Sequence, residues 1–424
     1  MHKGAWVFAL LGALGAVAGC GSEPLDGNDG TGGIPGASGG TSGAAGAPPD
    51  FTDTPCYGQA ATTLVYSGST HEVAEVAATC IGEGERTRVY VADTVLAARD
   101  RDALEAEVNG FLARFELASG NDDSAYPELG VLPANEAVFG ALASSSLADG
   151  KLSVFVVDTS GAGEGYLCSW CDTAELHLDA ELAPLDGDLS LSIAAHESFH
   201  AIHRALDPNE TVWVDEVLAE AAMTVNGFYT DRVWVYDFAE NPNTSWGPAS
   251  SDIASFHYGA GLVYGSYLWE VGGAELLRAA TEERANGWEG LDAALASIGD
   301  DRSAFALFLE AALAFYFDDP ERGYGFATLD FDRVPAAKRL AAGESATGTV
   351  RAYGLVYVEL DARVERVRVE AHLDGPEVVA RLATNTDPIE VREVELDTET
   401  PLDPTSALLV LTARESAGYT VTAD

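Results

Sequence analysis

The chain has 424 residues, with 68 Asp and Glu against 23 Lys and Arg, giving a formal charge of −45 and an isoelectric point near 4.2. That balance excludes nucleic acid as a partner, because phosphate recognition needs a basic footprint; it favours solubility without naming a substrate. Hydrophobic residues make up 47% of the sequence, which with this length allows two domains and a sizeable core.

Lys3 followed by the apolar run Ala5 to Ala18 has the size of a signal-peptide core and is too short to span a bilayer. The ending Val17-Ala18-Gly19-Cys20 resembles the bacterial lipobox, which implies lipidation of Cys20 and a membrane anchor. Gly21 in place of an aspartate favours the outer membrane or cell surface over inner-membrane retention. Residues 21–50 are rich in Gly, Ala, Ser and Pro with few large apolar side chains, so they read as a disordered tether. Such a tether reaches about 30 Å.

Four further cysteines, Cys56, Cys80, Cys168 and Cys171, form an even set in an exported chain, and we expect the pairs Cys56–Cys80 and Cys168–Cys171. A redox or zinc-knuckle role for Cys168-Ser169-Trp170-Cys171 is disfavoured, since no second pair exists. Thr87 to Val91 reads as a strand, Asp102 to Phe115 as a helix with Leu104, Val108, Leu112 and Phe115 inward, and Lys151 to Val157 as a strong strand. Gly161 to Gly165 lacks the glycine spacing of a nucleotide loop and reads as an ordinary turn. Ala174 to Leu178 alternates as a short strand with His177 and Asp179 facing solvent. Asn121-Asp122-Asp123 and Asp318-Asp319 are the acidic turns to consider for Ca²⁺, but neither has EF-hand spacing and both read as solvated turns.

The most informative segment is His196-Glu197-Ser198-Phe199-His200. Leu189, Ile193, Phe199, Ile202 and Leu206 recur at helical spacing, so the motif lies on one long amphipathic helix. Side chains four apart share a helical face about 5–6 Å apart, so both imidazoles can reach one Zn²⁺. Glu197 is then placed to take a proton from water. A second helix over Trp213 to Ala222 carries Glu216 and Glu220 on one face, and either can supply a third ligand. Phe256-His257-Tyr258-Gly259 opens another helix, with Tyr258 the candidate hydrogen-bond donor to an oxyanion and His257 the reserve. Tyr264 and Tyr267 read as packing aromatics.

These segments together resemble the gluzincin metallopeptidases, through the His-Glu-x-x-His helix and the Trp-x-x-Glu element Trp213 to Glu216. Secreted bacterial metalloproteases with a His-Glu-x-Phe-His helix are similar over roughly residues 150–320. The resemblance implies a zincin-like α+β domain with a mixed N-terminal sheet and a helical C-terminal half. In it Glu216 is the zinc ligand, Glu220 orients His196, and the strand Ala174 to Leu178 is the sheet edge that aligns an extended substrate. The metzincin pattern is rejected, because it needs Gly and His where His203 and Leu206 stand.

Residues 262–317 read as mostly helical, and from about Ala341 the texture changes to strands, cleanest at Val364 to Glu370, Val356 to Leu360 and Leu408 to Thr412. The expected organisation is a signal peptide over 1–20, a tether over 21–50, a metallopeptidase domain over 51–340 and a small β-sandwich-like domain over 341–424. The favoured function is a surface-tethered zinc endopeptidase acting on a peptide or protein substrate. The competing classes are a metalloaminopeptidase, which lacks its amine-gripping loop here, and a non-enzymatic adhesion lipoprotein, against which Glu197 argues.

Overall fold

The computed structural model describes residues 49–182, 184–228, 232–249, 255–331, 335–372, 378–403 and 405–424. The expected signal segment, Cys20 and the tether up to residue 48 lie outside the described residues. Among the described residues no helix is long and apolar enough to cross a membrane.

The chain opens with strands β1 (Ala60–Ser67), β2 (Glu72–Glu83) and β3 (Thr87–Ala92), then helices α1 (Asp93–Ala98), α2 (Arg101–Leu112) and α3 (Val131–Phe139). Strands β4 (Leu152–Val157), β5 (Gly165–Leu167) and β6 (Glu175–Asp179) complete a sheet of order β1-β2-β3-β4-β6-β5. The β3-β4-β6 ladder is parallel and the β5-β6 pair antiparallel. All of β4 is buried, as a central parallel strand covered on both faces must be. Leu104, Val108 and Leu112 of α2 and Phe115 in the π turn after it point into the same core.

Two expectations about β6 fail here. β5, not β6, is the sheet edge. His177 and Asp179 are buried rather than facing solvent. The cause is curl: β1 crosses the far face of β6, so Thr63 Oγ1 donates to Glu175 at 2.6 Å and lies 3.0 Å from His177 Nε2. Asp179 accepts the Thr159 N–H at 3.0 Å and so fixes the turn before β5. The Gly161 to Gly165 segment is the turn its spacing indicates.

Helices follow: α4 (Asp188–Leu206), α5 (Val212–Val225), α6 (Arg232–Glu240), α7 (Ser255–Glu282), α8 (Gly287–Ser297) and α9 (Ala304–Phe317). On α4 the inward stripe includes Leu191, whereas Leu189, expected inside, is exposed. α7 breaks at Gly273, whose φ of 53° lies in the left-handed region. Tyr264 is a core residue whose hydroxyl donates to the Ala304 carbonyl at 2.8 Å.

The remainder is all β: β7 (Ala337–Leu340), β8 (Glu344–Val350), β9 (Val356–Leu360), β10 (Arg366–His372), β11 (Val378–Thr384), β12 (Glu390–Glu393), β13 (Glu399–Pro401), β14 (Ala407–Ala413) and β15 (Ala417–Ala423). They form sheets of order β13-β10-β15-β8 and β12-β11-β14-β9-β7. Val358, Leu382, Leu409 and Leu411 of one sheet share a core with Val367, Val369 and Val421 of the other. β7 already belongs to this sheet, so the β region starts at Ala337 rather than at 341. Cys56 pairs with Cys80 and Cys168 with Cys171, Cα atoms 5.8 and 5.5 Å apart, consistent with an oxidising environment.

Candidate metal centre

A buried amide relay sets α4 against its neighbours. Asn135 of α3 donates to the Ala195 carbonyl at 2.8 Å and to Ser198 Oγ at 2.9 Å, both on α4. Asn226, just past α5, donates to Asn135 Oδ1 at 2.8 Å. Phe139 meets Phe199 edge to face at 4.8 Å between ring centres. At the head of α5, Trp213 packs against Trp288 at 4.6 Å and Trp246 at 5.4 Å. Held by these contacts, α4 carries His196, Glu197 and His200, all three buried.

His196, His200 and Glu216 each present a ligand atom, all within 4.8 Å of one another. Glu216 Oε2 lies 3.2 Å from His196 Nε2 and 3.8 Å from His200 Nε2. Each ring's other nitrogen faces a carboxylate. Glu220 Oε1 is 3.4 Å from His196 Nδ1, and Asp215 Oδ2 is 2.9 Å from His200 Nδ1. Held this way, both imidazoles aim Nε2 at the same point. Asp215 also takes His203 Nδ1 at 2.6 Å. Asp215 was not singled out from the sequence; its position beside Glu216, with His200 and His203 spaced three apart, was the available signal.

Glu197 sits beside the edge strand. Ladder bonds from Cys168 N–H to the Glu175 carbonyl and from Asp179 N–H to the Glu164 carbonyl turn one set of β5 backbone groups toward β6. The alternate set, at Gly165 and Leu167, points outward, and the Leu167 backbone lies near enough to the Glu197 carboxylate to favour its charged form. A Cβ at Gly165 would stand 2.5 Å from Ile193 Cγ2, so glycine lets β5 come this close to α4. Nothing in the side chain of Leu167 could have flagged a backbone role. The Tyr258 ring centre is 6.2 Å from that of His196. His257 is turned away, its Nε2 donating to the Ser245 carbonyl at 3.1 Å.

The electrostatics describe a site crowded with carboxylates. Burial opposes charge on His196, but Glu216 and Glu220 outweigh it and hold its pKa well above the usual imidazole range. Burial likewise opposes charge on His200, and Asp215 overrides it, pushing the pKa up to about 9. Burial raises Glu197 despite the two histidines. Asp215 is the reverse case: His200 and His203 overcome its burial and hold it well below the carboxylate range. The atom that tests for a cation is Glu216 Oε2, which is buried without a hydrogen-bond partner among the described residues while facing two imidazole nitrogens. Two imidazole nitrogens, freed of the protons these carboxylates hold on them, and a carboxylate oxygen are a donor set that fits Zn²⁺ with an open position.

No family model matches the chain, and no curated protein matches it. Solved structures similar to it include the pre-peptidase C-terminal domain of a collagenase from Bacillus anthracis, at 10% identity over 22% of this chain and 99% of that one, with a TM-score of 0.20. Another is a family GH115 4-O-methyl-α-glucuronidase with specificity for decorated arabinogalactans, at 13% identity over 58% of this chain and 46% of that one, with a TM-score of 0.13. Likeness at that level bears on neither fold nor activity.

Proposed function

We propose that the protein is a zinc-dependent peptidase of the zincin type, with His196, His200 and Glu216 as ligands. The observation that carries this is the convergence of His196 Nε2, His200 Nε2 and Glu216 Oε2 beside Glu197. A zinc ion held there supplies Lewis acidity, polarising the scissile carbonyl and acidifying the attacking water. Glu197 takes the proton of that water and delivers it to the leaving amine, a role suited to a carboxyl raised by burial. Tyr258, beside His196, donates a hydrogen bond to the developing oxyanion. The outward backbone groups of Gly165 and the carbonyl of Leu167 offer an extended peptide a strand to pair with. Glu220 and Asp215 orient the two rings. In the same proposal the enzyme is exported, lipidated at Cys20 and held at the outer membrane or cell surface by the 21–50 tether.

The deciding experiment measures metal content and cleavage of a blocked peptide library together, on the full chain. Chelation should abolish cleavage and Zn²⁺ restore it, with cuts at internal bonds. Glu197→Gln should keep its zinc and lose activity by about 10²–10⁴-fold. A protein that purifies without zinc and gains none, or a Glu197→Gln variant as active as wild type, would overturn the proposal.

A further inference from the structure

The segment that leaves β5 holds a second cluster of ligating groups. Cys168, Cys171 and His177 each offer a ligand atom within 4.8 Å of the others. His177 is fully buried; Thr63 Oγ1 sits 3.0 Å from its Nε2, and its Nδ1 has no hydrogen-bond partner among the described residues. An orphaned imidazole nitrogen costs free energy unless something occupies it. Two sulfurs from residues three apart and an imidazole nitrogen are the donors that soft and borderline metals prefer. In the oxidised chain the sulfurs are bonded to each other and cannot serve.

We propose that two-electron reduction of the Cys168–Cys171 disulfide by an external dithiol opens a second metal site, in which Cys168, Cys171 and His177 bind one thiophilic ion, Zn²⁺ or Cu⁺. The S–S bond breaks, the reductant becomes a disulfide, and its two protons pass to the cysteine sulfurs. Metal binding then releases both thiol protons to solvent. The loop is also held by hydrogen bonds that do not involve the disulfide. Arg204 of α4 donates to the Cys168 carbonyl at 3.0 Å and the Ser169 carbonyl at 2.9 Å, and Trp170 Nε1 donates to the Leu64 carbonyl at 3.1 Å. Half-buried Cys171 and exposed Ser169 and Trp170 give an ion a way in. His177 supplies the partner whose absence from the local sequence disfavoured a metal role for Cys168 and Cys171. This proposal does not depend on zinc at His196.

The test uses the full chain carrying His196→Ala and His200→Ala, so that only the second site is counted. Protein reduced with dithiothreitol, desalted anaerobically and exposed to Zn²⁺ or Cu⁺ is weighed by native mass spectrometry beside its oxidised twin. The reduced form should hold one more ion, which should block alkylation of both thiols. Cys171→Ser should fold, by circular dichroism, and lose that ion. Equal metal content in the two redox states, or an extra ion that survives Cys171→Ser, would overturn the proposal.

Discussion

Asp215 holds two imidazoles on one carboxylate, 2.9 Å from His200 and 2.6 Å from His203. It fixes the His200 ring from the side away from the candidate metal position, as Glu220 does for His196. Removing partners of this kind costs about 10–100-fold in metal affinity. Asp215→Ala and Glu220→Ala should therefore each weaken zinc binding by that order, while Glu216→Ala should remove it, as read by competition with a chromophoric chelator. A Glu220→Ala variant that loses zinc while Glu216→Ala retains it would reverse the assignment of the third ligand. The shared face of His196 and His200 was legible because i and i+4 spacing fixes it before any tertiary contact forms, whereas Glu216 was favoured over Glu220 only through the gluzincin resemblance. The pairing of Asp215 with His200 was not legible, since it depends on how α5 is rotated against α4. Asn135 is a second residue that only the fold reveals. Asn135→Ala would strip its bonds to Ala195 and Ser198 and remove the acceptor for Asn226. It should cost roughly 2–4 kcal/mol, measured by chemical denaturation, whereas a change under 1 kcal/mol would mean water replaces the amide.

Between elements, close approach decides what the site can be. A Cβ at Gly265 of α7 would sit 2.4 Å from the Val217 carbonyl of α5, a backbone atom that cannot swing aside. Gly265→Ala should destabilise the fold by about 1–3 kcal/mol. It should also weaken metal binding, because the displaced helix carries Glu216. Unchanged metal affinity would show that the strain is relieved away from the site. The helices and buried strands were largely readable from periodicity: β4, α2, α4 and α5 fall where their apolar patterns put them. β6 was misread for a physical reason. Its alternation of Glu175, His177 and Asp179 with leucines marks one apolar and one polar face, and polar faces are ordinarily wet. Here β1 curls over that face, and Thr63 satisfies Glu175 instead of water. Short β5 carries no periodic signal at all, yet as the sheet edge it reaches Glu197.

Across the whole molecule β14 joins the two cores. All of its residues are buried, with Leu408 and Val410 facing the core shared with the helices and Leu409 and Leu411 facing the core between the β sheets. Tyr357 on neighbouring β9 reinforces the junction, its hydroxyl donating to the Ala312 carbonyl of α9 at 3.1 Å. A chain tied together in this way should melt as one cooperative unit, and its charge should govern where. Even if every one of the 23 Lys and Arg were paired with an acid, 45 of the 68 carboxylates would have no cation. Salt acts on both sets in opposite senses. It weakens exposed ion pairs, each worth about 0–1 kcal/mol, and it screens repulsion among the unpaired acids, which compaction brings together. The unpaired set is larger, and its repulsion extends well beyond contact distance at low ionic strength, where the Debye length is about 30 Å at 0.01 M against about 3 Å at 1 M. Repulsion should therefore win. The melting temperature should rise by a few degrees between 0.01 and 0.5 M NaCl at pH 7, on the order of 1–2 kcal/mol for a chain of this size. A melting temperature that falls with added salt would mean that ion pairs such as Arg302 with Asp300 and Glu310 outweigh the unpaired acids.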